Sequence, residues 1–388
     1  MNRFVWLLAT VIFTATTAAT NALTLKKGQV LGSDGQIKTK NNKDMPLNSE
    51  AEGLVHVQEC KGLFLKPLDG DNMPKEWSQP HPCAPELIAA DDIPIKIQND
   101  MQKTLLEASK EWGNFGPIEY WVLGTHEQSA KKLIEKYCSR RAERGDIGFD
   151  QCKREELSSN IKHNMISYQK IGARALNSGR PEQSAGHTGG QNWGIHRFMS
   201  SLPLGMAGRF GIPGEENQKV ILHEYFHAFQ IAHTRSLGAS RKKLGPIWFM
   251  EGSAEYMALV AHDKLTKQSK LRRWKNGRYR FTFKNEMKKR FKHAKELEAK
   301  FDCVKSKMKE AFFTEKCNDF TYNGDVWAIA LLVNQTNEKV LINEFYPNVY
   351  DLGWEKAFEK SFGKTPNEFY KEFETFMRKS YRDASQIL

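Results

Sequence analysis

Two histidines and a glutamate fall within five residues of one apolar run, Val220-Ile221-Leu222-His223-Glu224-Tyr225-Phe226-His227-Ala228-Phe229-Gln230. The run contains neither glycine nor proline and is compatible with a helix. At about 3.6 residues per turn, His223 and His227 share one face, one turn apart. Two imidazoles so placed can ligate a single zinc ion at about 2.0–2.1 Å each. Glu224 is the next residue round the helix. It can reach a metal-bound water without being a ligand, as a general base must. The other reading of this stretch is a buried helix whose histidines are hydrogen-bonded core residues.

Zinc needs a third protein ligand and an open fourth position. Two residues compete for the role. His233 lies six positions after His227, as in the HExxHxxGxxH arrangement, but Gln230 stands where that pattern needs a glycine to turn the chain off the helix. The second candidate is Glu251, in Pro246-Ile247-Trp248-Phe249-Met250-Glu251-Gly252-Ser253-Ala254-Glu255-Tyr256. Glu251 and Glu255 are four apart and share a face of a second helix. Glu251 can then serve as ligand while Glu255 accepts the spare ring N–H of a ligand histidine and fixes its tautomer. The missing glycine favours Glu251.

HEYFHAFQ followed by PIWFMEGSAEY resembles the glutamate zincins, the thermolysin-like superfamily of zinc metallopeptidases. More narrowly it is similar to peptidase-MA-like families with an HExxH…WxxEGxAEY pattern. The resemblance implies Glu251 as third ligand and Glu255 as the acidic residue that orients a ligand histidine. It implies Zn2+ as cofactor, a peptide or protein as substrate, and an edge strand upstream of the zinc helix that binds substrate by strand addition. It also implies a downstream tyrosine or histidine that donates to the oxyanion. Tyr322, in Phe320-Thr321-Tyr322-Asn323-Gly324-Asp325-Val326-Trp327, is the candidate; the other reading makes it a packing residue. Twenty-three residues separate His227 from Glu251, more than in thermolysin, and the extra length is a basic loop through Arg241, Lys242 and Lys243. Gly190-Gln191-Asn192-Trp193-Gly194 is similar to the exopeptidase segment of zinc aminopeptidases, with Gln191 where a glutamate anchors the substrate amine. The likeness covers about residues 190–380 and is specific at the zinc core.

The elements that must position these residues follow from periodicity. Ile97–Trp112 reads as a helix, residues 117–123 as a strand, 128–143 as a helix and 155–176 as a second helix. Residues 192–199 read as an edge strand, with His187 and His196 as surface or loop histidines. Pro213-Gly214 opens the zinc helix, with Glu215 and Glu216 in its first turn, and the EGxAE helix spans 248–262. A buried helix covers 328–333. The stretch from Trp354 to Tyr370 reads as a helix, a glycine stop and a capped helix. The expected fold class is α+β: a zincin-like unit with a small mixed sheet, the active-site helix and a mainly helical C-terminal lobe. Residues 23–95 form a loop-rich extension. The catalytic unit is 96–388, with the sheet and zinc helix in 96–233 and the helical lobe in 234–388.

Met1–Asn2–Arg3, a ten-residue apolar core and small residues to Ala22 read as a signal peptide, 1–22, removed after Ala22. The apolar core falls short of the roughly twenty residues that span a bilayer, and no later stretch is long enough. A secreted or periplasmic location is expected. Six cysteines suit disulfides there, and clustering in sequence pairs Cys60–Cys83, Cys138–Cys152 and Cys303–Cys317. The net charge of +12 is concentrated between Asp263 and Glu310, where 18 Lys and Arg face 6 Asp and Glu. This segment reads either as the solvated face of a helical lobe or as a site of attraction to an anionic surface. No nucleic-acid motif accompanies it. The function expected is zinc-dependent hydrolysis of peptide bonds, through a zinc-bound water activated by Glu224. The alternatives are a non-catalytic peptidase-like protein that binds anionic surfaces through its basic lobe, and hydrolysis of another amide or ester in cell-envelope material.

Overall fold

The computed structural model describes residues 73–388, apart from 74, 82, 180–183, 202–216, 236–240, 274, 277–278 and 305–316, together with the strand backbone of 29–31 and 37–39. The chain divides into a unit 1–49 and a unit 50–388. In the first, strands Gln29–Leu31 (β1) and Ile37–Thr39 (β2) pair antiparallel. The expected signal peptide 1–22, Cys60, and the helix start at 213–216 lie outside the described residues.

The second unit is an α+β fold, mainly helical, around one four-stranded mixed sheet. Its strands are Glu86–Ala89 (β3), Ile118–Val122 (β4), Ala185–His187 (β5) and His196–Ser200 (β6), in the order β3-β4-β6-β5. The first three in that order are parallel, and β5 runs antiparallel to β6 at the edge. Every residue of β4 is buried, because helices cover both faces. Alternation sends Ile118, Tyr120 and Val122 into the main core and Trp121 into a second core on the opposite face.

Helix Ile95–Trp112 (α1) lies on the main-core side. Helices Glu127–Glu143 (α2), Phe149–Leu157 (α3) and Met165–Ser178 (α4) contribute to the second core. The Cys138–Cys152 disulfide joins α2 to α3, and closing a 14-residue separation stabilises by about 3 kcal/mol in the chain-entropy view. The central helix Asn217–Thr234 (α5) packs against α1 and against Ile247–Lys267 (α7), which follows the short helix Arg241–Leu244 (α6). Every residue of α5 from Gln218 to Ala232 is buried, with Ile221, Leu222, Phe226, Phe229 and Ala232 among those in the main core. That is the pattern of a helix buried within a core.

The helical lobe continues with Phe283–Phe301 (α8) and then Asn318–Asn323, Asp325–Gln335, Trp354–Phe362 and Pro366–Met377. Cys303 and Cys317 form the expected disulfide. Gly363 ends its helix in the left-handed conformation, and Thr365 with Glu368 makes a full capping box, as the sequence implied. No helix among the described residues is long and apolar enough to cross a membrane.

Three expectations need correction. The helix expected over 155–176 is two helices. Asn164 caps α4, accepting from the Ser167 amide, while its amide group donates to the carbonyls of Glu155 and Ser158 at the end of α3. A residue that satisfies both helix ends breaks the run between them. The strand expected at the edge over 192–199 is interior: residues 191–193 form a tight turn, β6 is flanked on both sides, and β5 takes the edge. The boundary expected at 96 falls within the sheet-bearing unit, since β3 pairs with β4, and Met73 and Trp77 are fully buried in the main core.

Candidate metal centre and cleft

Helix α5 presents His223, Glu224 and His227, and α7 presents Glu251 and Glu255. All five are buried. They lie at a cleft of about 1150 Å³ whose lining includes Glu224, Tyr322 and, from the edge strand β5, Ala185 to His187. Pro246 precedes the first turn of α7 and allows the helix to begin there, one turn before Glu251. Gly252 packs closely against the start of the helix Asp325–Gln335. A Cβ built on it would lie 2.8 Å from the carbonyl oxygen of Asp325, closer than any side chain permits.

His223, His227 and Glu251 form the one group of three or more potential metal ligands among the described residues, with one ligand atom from each lying within 4.8 Å of the others. His223 Nε2 is 3.1 Å from His227 Nε2 and 3.2 Å from Glu251 Oε2, and His227 Nε2 is 3.5 Å from the same oxygen. Ligands of a tetrahedral ion bonded at about 2.0–2.1 Å stand about 3.3 Å apart. The observed separations bracket that value.

The hydrogen bonds behind the rings give an independent test of fit. His223 Nδ1 donates to Glu255 Oε2 at 2.8 Å. His227 Nδ1 donates to Gln230 Oε1 at 2.7 Å. The Gln230 oxygen must be the acceptor, because its Nε2 donates to the Met250 carbonyl at 2.9 Å. When neutral, both rings therefore carry their proton on Nδ1 and turn a lone pair toward Glu251. In that state three acceptors with no donor among them meet at one point, where a cation would satisfy them. The residues present fit a small divalent ion.

Burial of Glu255 opposes its ionisation, but Arg290 and Lys219 beside it hold its carboxyl well below the usual range. Lys219 Nζ donates to both of its oxygens at 2.9 Å, and an Arg290 nitrogen lies 2.5 Å from Oε1. Arg290 also donates to the backbone carbonyl of Tyr322. Glu251 is likewise buried, and the two histidines hold its carboxyl far below the usual range. Glu224 goes the other way: burial raises its pKa, with His223 and His227 only partly offsetting the rise. A raised carboxyl pKa suits a group that must accept and return protons near neutrality. Tyr322 faces the same cleft, its ring centroid 6.3 Å from that of His223.

In the absence of an ion, burial lowers the His223 pKa, but Glu251 and Glu255 outweigh it and the result is pushed up to about 10. The ring is then protonated at neutral pH, and an ion bound at Nε2 must displace a proton. Binding at pH 7 should release at least one proton per ion, and affinity should climb about tenfold per pH unit between 7 and 9. Calorimetry in two buffers of different ionisation enthalpy measures the count; a value of zero would show that His223 is neutral.

Of the two candidate third ligands, Glu251 stands beside both imidazoles and His233 does not. His233 sits six residues further along α5, on another face of the helix, donates from Nδ1 to the Phe229 carbonyl at 2.8 Å and packs on Phe115 and Phe229. Gln191 is buried under its turn, and Trp193 lines the cleft instead. The histidines expected at the surface are not there. His196 is fully buried on interior strand β6, stacked on Trp77 at 4.3 Å, and burial lowers its pKa to about 3. Its Nδ1 lies 3.1 Å from Nε2 of half-buried His187, which lines the cleft from β5. Reading the sequence missed Lys219, Gln230 and Arg290 as supports of the site. Lys219 and Gln230 had a usable signal, lying one helical turn before His223 and three residues after His227. Arg290 had none. No family model, curated protein or solved structure matches this chain.

Proposed function

We propose that the protein is a zinc-dependent peptidase of glutamate-zincin type that works outside the cytoplasm, with His223, His227 and Glu251 holding the ion. The observation that carries this reading is the meeting of three buried potential ligand atoms at one point, with a second carboxylate, Glu224, outside that set on the same cleft. The two disulfides suit an oxidising compartment.

A zinc ion held here would lower the pKa of a water and polarise the scissile carbonyl. Glu224 takes a proton from the attacking water and delivers it to the departing amine nitrogen. The Tyr322 hydroxyl donates to the developing oxyanion. Glu255 and Gln230 keep both imidazoles in the tautomer that ligation needs. The outer edge of β5, unpaired among the described residues, offers backbone groups to an extended peptide lying along the cleft.

The test is a mixed peptide library incubated with the zinc-loaded protein and read by mass spectrometry. Cleavage that stops on chelation and returns with zinc is expected. A library left intact at stoichiometric zinc, while peptidoglycan fragments or ester substrates are hydrolysed, would move the reading to another bond. No turnover of any of these would remove the enzyme reading.

A further inference from the structure

Away from the cleft, the outer face of α8 forms one wall of a groove of about 1040 Å³. Lys288, Lys292 and Lys295 recur along that wall at intervals of four and three, so their ammonium groups share one helix face. Lys379 faces them from the segment after the helix Pro366–Met377. Lys295 donates to the Met377 carbonyl at 2.6 Å and ties the two walls together. The floor is apolar. Phe291 is buried beneath it, the Tyr381 ring lies 5.9 Å from the Phe291 ring, and the Lys288 ammonium sits 5.7 Å over the Tyr381 ring. The hydroxyl of Tyr381 is buried and has no hydrogen-bond partner among the described residues. Of the lining residues only Glu296 is acidic, 4.0 Å from Lys292.

A cationic rim over an apolar floor matches a ligand that carries both an anionic group and an aliphatic chain. A hydrophilic polyanion would use the lysines and leave the floor wet. A neutral apolar molecule would use the floor and gain nothing from the rim. We propose that this groove binds the monomer of a single-chain anionic amphiphile, a fatty carboxylate, with its head among Lys288, Lys292 and Lys379 and its chain along Phe291 and Tyr381. The volume lies at the upper end of the roughly 300–1,000 Å³ usual for small-molecule sites. This assignment does not depend on the cleft or on any catalytic activity.

Titration calorimetry of the full-length protein with decanoate, dodecanoate and tetradecanoate, each below its micelle concentration, tests it. One molecule should bind per chain, and affinity should rise about fourfold per added methylene, the worth of one buried CH2. Dodecyl maltoside and dodecyltrimethylammonium, with the same chain and a neutral or cationic head, should bind at least tenfold more weakly. The triple variant Lys288→Glu/Lys292→Glu/Lys379→Glu and the groove-filling Ala299→Trp should each lose at least tenfold. All four positions are exposed, and an unchanged thermal melt separates lost binding from lost folding. Equal affinity for dodecanoate and dodecyl maltoside, an affinity independent of chain length, or undiminished binding by the triple variant would overturn the proposal. So would binding of anionic vesicles or an acidic peptide at this face with none of dodecanoate.

Discussion

Replacement of Glu224 by glutamine should lower kcat/KM for any peptide substrate by on the order of 10²–10⁴-fold, while bound zinc stays at the wild-type level. The two halves of this expectation come from geometry. Glu224 lies outside the group of three ligand atoms, so an isosteric amide leaves those atoms and their supports in place. An amide nevertheless cannot accept a proton from water. Burial raises the pKa of Glu224, which is the shift a proton shuttle uses and which glutamine removes entirely. The measurement pairs initial rates with metal content by elemental analysis. Unchanged turnover would take Glu224 out of the mechanism, and zinc lost together with activity would show that it supports the ion after all.

Replacement of Glu255 by alanine should destabilise the fold by about 3–5 kcal/mol, even with a chelator present, and weaken metal binding by about 10–100-fold. Glu255 lies between Lys219 and Arg290, and the three side chains are respectively 1%, 3% and 8% exposed. Removing the carboxylate takes away the counter-charge that buried Lys219 and Arg290 share, and leaves Arg290 with Glu286 at 3.8 Å. The same change deprives His223 Nδ1 of its acceptor and frees the ring to adopt the wrong tautomer. Denaturant melts in chelator isolate the first effect, and competition with a chromogenic chelator measures the second. Stability equal to wild type would show that Lys219 and Arg290 find other partners.

The motif helices could be read from the sequence because their determinants are local. Residues one turn apart on α5 and on α7 share a face whatever the rest of the chain does, so His223, His227, Glu251 and Glu255 could be named together. The missing glycine at Gln230 was also a local fact, and it separated Glu251 from His233. What Gln230 does instead was hidden, because its partners on α7 and at Tyr346 come together only in the folded chain. Arg290 was hidden for the same reason. It reads as one cation in a basic run, yet it is the residue of α8 that turns inward to Glu255. The edge strand was misplaced because β5 is three residues long and contains a glycine, too little for an alternation pattern. His196 shows the converse: a polar residue on an interior strand carries no sequence mark of its burial.

The absent side chain at Gly252 bears on how such a cleft can change. It lets the backbone of α7 rest directly on that of Asp325, three residues beyond Tyr322. Glu251 and Tyr322 thus lie one and three residues from the two ends of this backbone contact. A side chain at position 252 would push the two segments apart and with them Glu251 and Tyr322.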